Sequence, residues 1–280
     1  MLGVAQYYSP MLSDATPADG YLGMGFRNLS NFDANPVFQT LVAQHALTEP
    51  VFSFKFAKPN PELFLGGIDR NSYLPPLTYV PVTRQVVYML VRFSRRIGPD
   101  IVGRIQGFWE VTMDAVTIGG DTILTSAVAV VDTGTRFIIG DWYSVAAFYE
   151  HIPGAEGMDD GFYIGASMTF ILSTKWFTLF LVSVPCEGLP LMSFTFGGKI
   201  YSIDPSTFII GHMADTPRCL ASLIGVRGMP PGKSYVEPSH TSSVADRMIS
   251  GTWVVGGAFL TNVYTVFDLG RARVGFAQLK

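Results

Sequence analysis

The chain has 280 residues, 48% of them apolar and only 15% charged, with a formal net charge of −3. That composition excludes a disordered or heavily solvated polypeptide and gives enough chain to bury a sizeable core. No basic run is long enough to form a nucleic-acid surface.

In chain order, the N-terminal stretch MLGVAQYYSPMLSD has neither a charged leader region nor a long apolar run, so no signal peptide is expected in it. Asn28-Leu29-Ser30 is a glycosylation sequon. Pro36 to Gln44 carries Val37, Phe38, Leu41 and Val42 at helical spacing and predicts a short amphipathic helix. Val51 to Phe56 alternates like a half-buried strand, Leu63 to Leu65 is a second strand, and Leu77 to Val82 a third, preceded by Pro75-Pro76. Trp109 to Met113 and Val116 to Ile118 lead into Gly119-Gly120, a hairpin signal. Ala127 to Val131 is a continuous apolar run, the pattern of a strand buried on both faces. Ser144 to His151 predicts a second short helix. Ser193 to Phe196, Gly197-Gly198 and Lys199 to Ile203 predict another hairpin. Tyr264 to Phe267 and Arg273 to Ala277 predict the last two strands. The chain is therefore expected to be all-β with two or three small helices.

Chemistry concentrates at one place. Ala129-Val130-Val131-Asp132-Thr133-Gly134-Thr135 presents a single carboxylate at the end of a buried strand. Gly134 offers an unobstructed backbone N–H, and the hydroxyls of Thr133 and Thr135 can reach backbone and carboxylate. Taken alone, Asp-Thr-Gly is also an ordinary turn. His45, His151, His212 and His240 show no ligand spacing and are read as surface residues, with no metal or other cofactor expected. Cys186 and Cys219 fit either two buried thiols or one bridge.

Further motifs supply the context for Asp132. Asp19-Gly20-Tyr21-Leu22-Gly23-Met24-Gly25-Phe26 is similar to "DGILGLGF", and Glu62 to Asp69 to "LxLGGxD". Leu77 to Val82 is similar to "LTYxPV", and Trp109 to Asp114 matches "WEVTMD". With Trp253-Val254-Val255-Gly256 and the run from Ala258 to Ala277, the chain resembles the pepsin-like aspartic proteinases over nearly its whole length, most closely their secreted fungal members. The resemblance implies an all-β fold of two lobes flanking a cleft for an extended peptide. Residues 1–68 would be a remnant of the N-terminal lobe and 69–280 a complete C-terminal lobe.

The family's chemistry needs two aspartates sharing a proton, one activating water and the other protonating the peptide carbonyl. By resemblance Asp132 would be one of them. Thr133 would join a hydroxyl network between two loops, Gly134 and Thr135 would support the carboxylate, and Val254, Val255 and Gly256 would pack beneath the loop. Cys186 and Cys219 fall where the family places a disulfide, which would stabilise by about 3–4 kcal/mol on chain-entropy grounds. Asp69, Asp114 and Asp268 match structural positions. Peptides or proteins would be the partners, with no nucleic acid or membrane involved, and the parent protein would be extracellular or vacuolar. The sequence sets no oligomeric state.

Four departures qualify this. The chain holds one Asp-Thr-Gly and no Asp-Ser-Gly, and its start resembles the middle of the N-terminal lobe, so it is expected to be a truncated form, inactive by itself or a peptide-binding relic. Arg136 replaces a usual Ser; its guanidinium would either lie beside Asp132 and favour the ionised carboxylate or swing out to solvent. Gly257 stands where the family commonly has Asp. Residues 86–106, 164–182 and 232–250 are extra relative to the family and are read as translated introns. The run Ile164 to Val184 is long enough to span a bilayer, but Lys175 at its centre costs about 2.5–3.5 kcal/mol there, against a spanning helix.

Overall fold

The computed structural model describes residues 22–30, 34–83, 107–158, 178–227 and 252–280. In chain order these form α1 (Val37–Ala43), β1 (Val51–Lys55), β2 (Glu62–Leu65), β3 (Tyr73–Pro81), β4 (Glu110–Ile118), β5 (Asp121–Val131) and β6 (Ile138–Asp141). There follow α2 (Trp142–Glu150), β7 (Glu156–Met158), β8 (Thr178–Pro185), β9 (Met192–Phe196), β10 (Lys199–Ile203) and α3 (Pro205–Phe208). The last are β11 (Ile209–His212), β12 (Arg218–Ala221), β13 (Leu223–Arg227), β14 (Thr252–Val255), α4 (Gly257–Leu260), β15 (Val263–Asp268) and β16 (Arg273–Leu279). The chain is mostly β, as its alternating patterns and glycine pairs predict.

Five strands make an antiparallel sheet in the order β2-β1-β15-β16-β3. The strand expected at Leu77 begins earlier, at Tyr73, and runs through Pro75-Pro76. It can do so because β3 pairs only with β16 and lies at the sheet edge, where a missing N–H breaks no ladder bond. The other eleven strands form the second sheet, ordered β10-β9-β4-β5-β14-β6-β13-β8-β12-β11, with β7 on β8. Both expected hairpins are present, and Gly119, Gly120, Gly197 and Gly198 all have positive φ, the backbone that tight two-residue turns demand.

The centre of the large sheet is its unusual part. β14 lies between β5, to which it is parallel, and β6, to which it is antiparallel, while β13 runs parallel to β6. All four residues of β14 are buried, as a strand covered on both faces requires. An aromatic cluster joins the two sheets. Phe52 of β1 stacks on Phe267 of β15 at 4.8 Å, and the Trp109 ring meets both edge-on at 5.7 and 5.1 Å.

Most of the three segments read as extra, and His240, lie outside the described residues. The described end of the second, residues 178–182, belongs to β8, which pairs with β13 through Thr178, Leu179 and Phe180. Among the described residues no helix is long and apolar enough to cross a membrane.

Candidate active site

The end of β5, Ala127 to Val131, is apolar and largely buried, and past Val131 the chain turns. The turn is built on the side chain of Asp132. Its Oδ1 accepts the Gly134 N–H at 2.9 Å and its Oδ2 accepts the Thr135 hydroxyl at 2.6 Å, so both carboxylate oxygens are held by the residues that follow. Thr135 is 4% exposed, which fixes its hydroxyl in place.

Beneath this loop lies the end of β14. The Asp132 N–H donates to the Val255 carbonyl at 3.1 Å, continuing the parallel ladder past the last residue of β5. Val254 and Val255 are buried under the loop. At Gly256 a Cβ would stand 2.2 Å from the Thr135 carbonyl oxygen and 2.3 Å from that of Phe137, so only glycine fits. The chain then enters α4, whose first free N–H groups are absorbed by the loop: Gly257 donates to the Thr135 carbonyl at 2.7 Å and Ala258 to that of Arg136 at 2.9 Å. One further close approach tightens the layer below, where the Trp253 ring lies against Gly140 with no room for a Cβ between them.

A cavity of about 250 Å³ opens above the carboxylate. Phe108, Trp109, Val130 and Val131 line one side, and Leu22 to Gly25 with Leu29 the other. Three bonds from other elements reach the second wall among the described contacts. The Trp109 indole N–H donates to the Met24 carbonyl at 3.0 Å, the Phe26 N–H to the Gly107 carbonyl at 3.1 Å, and the Gln39 side chain to the Gly25 carbonyl at 3.2 Å. Among the described residues Asp132 is the only ionisable group on the cavity lining. The site is an oriented carboxylate on a mostly apolar floor.

The sequence-derived residues fall into two sets. Asp132, Gly134, Thr135, Val254, Val255 and Gly256 converge as described. Thr133 lines the cavity, half-buried, but its hydroxyl bridges to no second loop among the described residues. Arg136 does not pair with Asp132. Its guanidinium turns outward and donates to the Ile210 carbonyl of β11 at 3.2 Å. Cys186 and Cys219 are joined as a disulfide across 33 residues, tying the end of β8 to β12.

The other named aspartates are engaged elsewhere. Asp268 is buried between Arg273 at 2.7 Å and Arg271 at 3.6 Å. Asp114 accepts the Gly198 N–H at 2.7 Å and anchors the hairpin turn. Asp69 is held below the usual carboxylate range, first by the Asn71 backbone N–H and then by the Ser72 hydroxyl. Two contributors escaped the sequence reading. The indole of Trp109 ties the far wall to the floor, and His212 stands against the disulfide. Both depend on strand pairing that no local pattern announces.

A family model described as eukaryotic aspartyl protease matches residues 1–279. The chain is 31% identical over 264 residues to an aspartic protease of Phaffia rhodozyma, covering 94% of this chain and 52% of that protein. It is 30% identical over 272 residues to cathepsin D of Clupea harengus, covering 94% and 55%. Against pepsin A of Sus scrofa it is 27% identical over 268 residues, covering 94% and 54%. The chain thus spans about half the length of the curated relatives it matches.

Proposed function

Because the chain belongs to the eukaryotic aspartyl protease family, we propose that Asp132 is one of the two carboxylates of an acid-acting endopeptidase. The observation that carries this reading is the clamped carboxylate: both oxygens of Asp132 are bonded within its own loop, and the loop rests on a strand that admits no side chain at Gly256. A group so fixed costs no reorganisation when charge moves in the reaction.

In the proposed chemistry a carboxylate takes a proton from a water whose oxygen bonds to the peptide carbonyl carbon. A second, protonated carboxyl gives its proton to the carbonyl oxygen. The resulting gem-diol collapses, the C–N bond breaks, and the amine leaves protonated. Two adjacent carboxyls are needed because neither can be both base and acid in one step. The sequence holds a single Asp-Thr-Gly and no Asp-Ser-Gly, and Asp132 is the only ionisable group on the cavity among the described residues, so these 280 residues are proposed to be non-catalytic by themselves. The substrate is an extended peptide or protein segment. The disulfide fits a protein of an oxidising compartment, extracellular or vacuolar. In domain terms, residues 1–68 belong to the first lobe and 69–280 to the second.

A longer polypeptide that places an Asp-Thr-Gly or Asp-Ser-Gly upstream in the same frame tests the reading. It is expected to cleave protein at about pH 3–4, where a split dyad works, and to lose at least about a thousandfold in rate in the Asp132→Asn variant. Cleavage unchanged by Asp132→Asn contradicts the assignment.

A further inference from the structure

Three residues on adjacent strands meet at the far edge of the large sheet. His212 of β11 lies directly opposite Cys219 of β12 in the antiparallel register. Cys219 in turn faces Val184 of β8, and Cys186 is two residues further along, on the same side of the pleat. The result is a compact set of soft donors. Nδ1 of His212 is 3.2 Å from the Cys219 sulfur and 3.6 Å from that of Cys186, and all three ligand atoms lie within 4.8 Å of one another. His212 is exposed, Cys186 half-buried and Cys219 fully buried, so the set reaches solvent chiefly at His212.

We propose that this is a redox-gated site for a thiophilic divalent cation, with Zn²⁺ as the natural occupant. In the oxidised chain the disulfide holds both sulfurs and the site is closed. A dithiol or phosphine reductant supplies two electrons; the S–S bond breaks, two thiols form, and the reductant leaves oxidised. The cation then displaces both thiol protons to solvent and takes the lone pair of His212 Nδ1, whose proton sits on Nε2.

The geometry suits this exchange. Metal–sulfur bonds of about 2.3 Å and metal–nitrogen bonds of about 2.0–2.1 Å place tetrahedral ligand atoms about 3.5–3.8 Å apart. The imidazole nitrogen already stands at nearly that separation from both sulfurs, so only the sulfurs must part. Cys186 lies just beyond the end of β8, in a loop that Gly188 at φ +74° allows to turn. Its main-chain tie towards β12 among the described residues is a 3.3 Å bond from its N–H to the Pro217 carbonyl, so a shift of its side chain leaves the β8–β12 pairs themselves in place. Three protein ligands and one solvent-facing position make an open tetrahedral site. Neither the Asp132 cavity nor the proposed proteolysis uses any of these residues.

The test is Co²⁺ titration of the purified 280-residue chain, with and without prior phosphine reduction under argon. The reduced chain is expected to bind a single ion with a thiolate-to-cobalt charge-transfer band and the visible bands of tetrahedral Co²⁺, displaced by Zn²⁺. The oxidised chain is expected to give neither. His212→Ala, an exposed position, should weaken binding at least about tenfold, as losses around metal sites do, and Cys186→Ser should weaken both the binding and the charge-transfer band, to which Cys219 alone then contributes. No band after reduction overturns the proposal, and so does an unchanged affinity in His212→Ala. A reduced chain that loses its β-sheet circular dichroism and does not regain it with Zn²⁺ overturns it as well.

Discussion

The two walls of the Asp132 cavity are built on different principles. The floor is backbone against backbone: the ends of β5 and β14, the Asp132 loop and the first turn of α4 exchange main-chain hydrogen bonds at van der Waals limits. The opposite wall, Leu22 to Leu29, is a short segment with a 3₁₀ turn, whose described ties include the indole of Trp109, a main-chain bond at Phe26 and an amide from Gln39. The Asp132 carboxylate sits on the first, and the apolar side of the cavity that faces it is built from the second. Stability in the molecule is therefore distributed unevenly around one cavity.

The comparison breaks most severely at Gly256. Adding one methyl drives a Cβ into two carbonyl oxygens, and Gly256→Ala is expected to cost about 3–4 kcal/mol or prevent folding, read by urea denaturation. Next comes Thr135→Val, which keeps the shape but removes the hydroxyl that Asp132 accepts. A loss of about 2 kcal/mol is expected, since hydrogen bonds to charged groups run at about 1.5–3 kcal/mol.

The far wall should respond less. Trp109→Phe removes the bond to the Met24 carbonyl and is expected to cost about 1 kcal/mol. Amide exchange should quicken at Phe26 and Leu29 while the Asp132 and Gly257 amides stay protected. An equal loss of protection on both walls would erase the distinction drawn here. Smallest is Arg136→Ser, within about 0.5 kcal/mol, because the guanidinium is exposed and its hydrogen bond among the described residues is a single one to the Ile210 carbonyl.

The same contrast marks what the sequence reveals. Glycine pairs and alternation announced the two hairpins because a turn and its flanking strands are local. Asp132-Thr133-Gly134-Thr135 was legible as a carboxylate at a strand end because its partners are its own neighbours. The insertion of β14 between β5 and β6 was not, since Val255 meets Asp132 across more than a hundred residues. For Arg136 the sequence left open a guanidinium beside Asp132 or one turned outward; the outward arrangement is the one found, with the Ile210 carbonyl of another strand as partner, a choice no local pattern could make. Pro75-Pro76 looked like a strand boundary because its tolerance depends on β3 being an edge. His212 looked like an isolated surface residue until strand register set it against Cys219.

The most direct test of the central claim is hydrolysis of acid-denatured haemoglobin at about pH 3–4 by the purified 280-residue chain and its Asp132→Asn variant, alongside a cooperative unfolding transition for both. Two folded proteins with no activity are the predicted result, a positioned carboxylate without the second one its chemistry needs. Cleavage by the chain that disappears in Asp132→Asn would contradict it, because Asp132 would then have found a partner carboxylate, as when two copies of the chain meet.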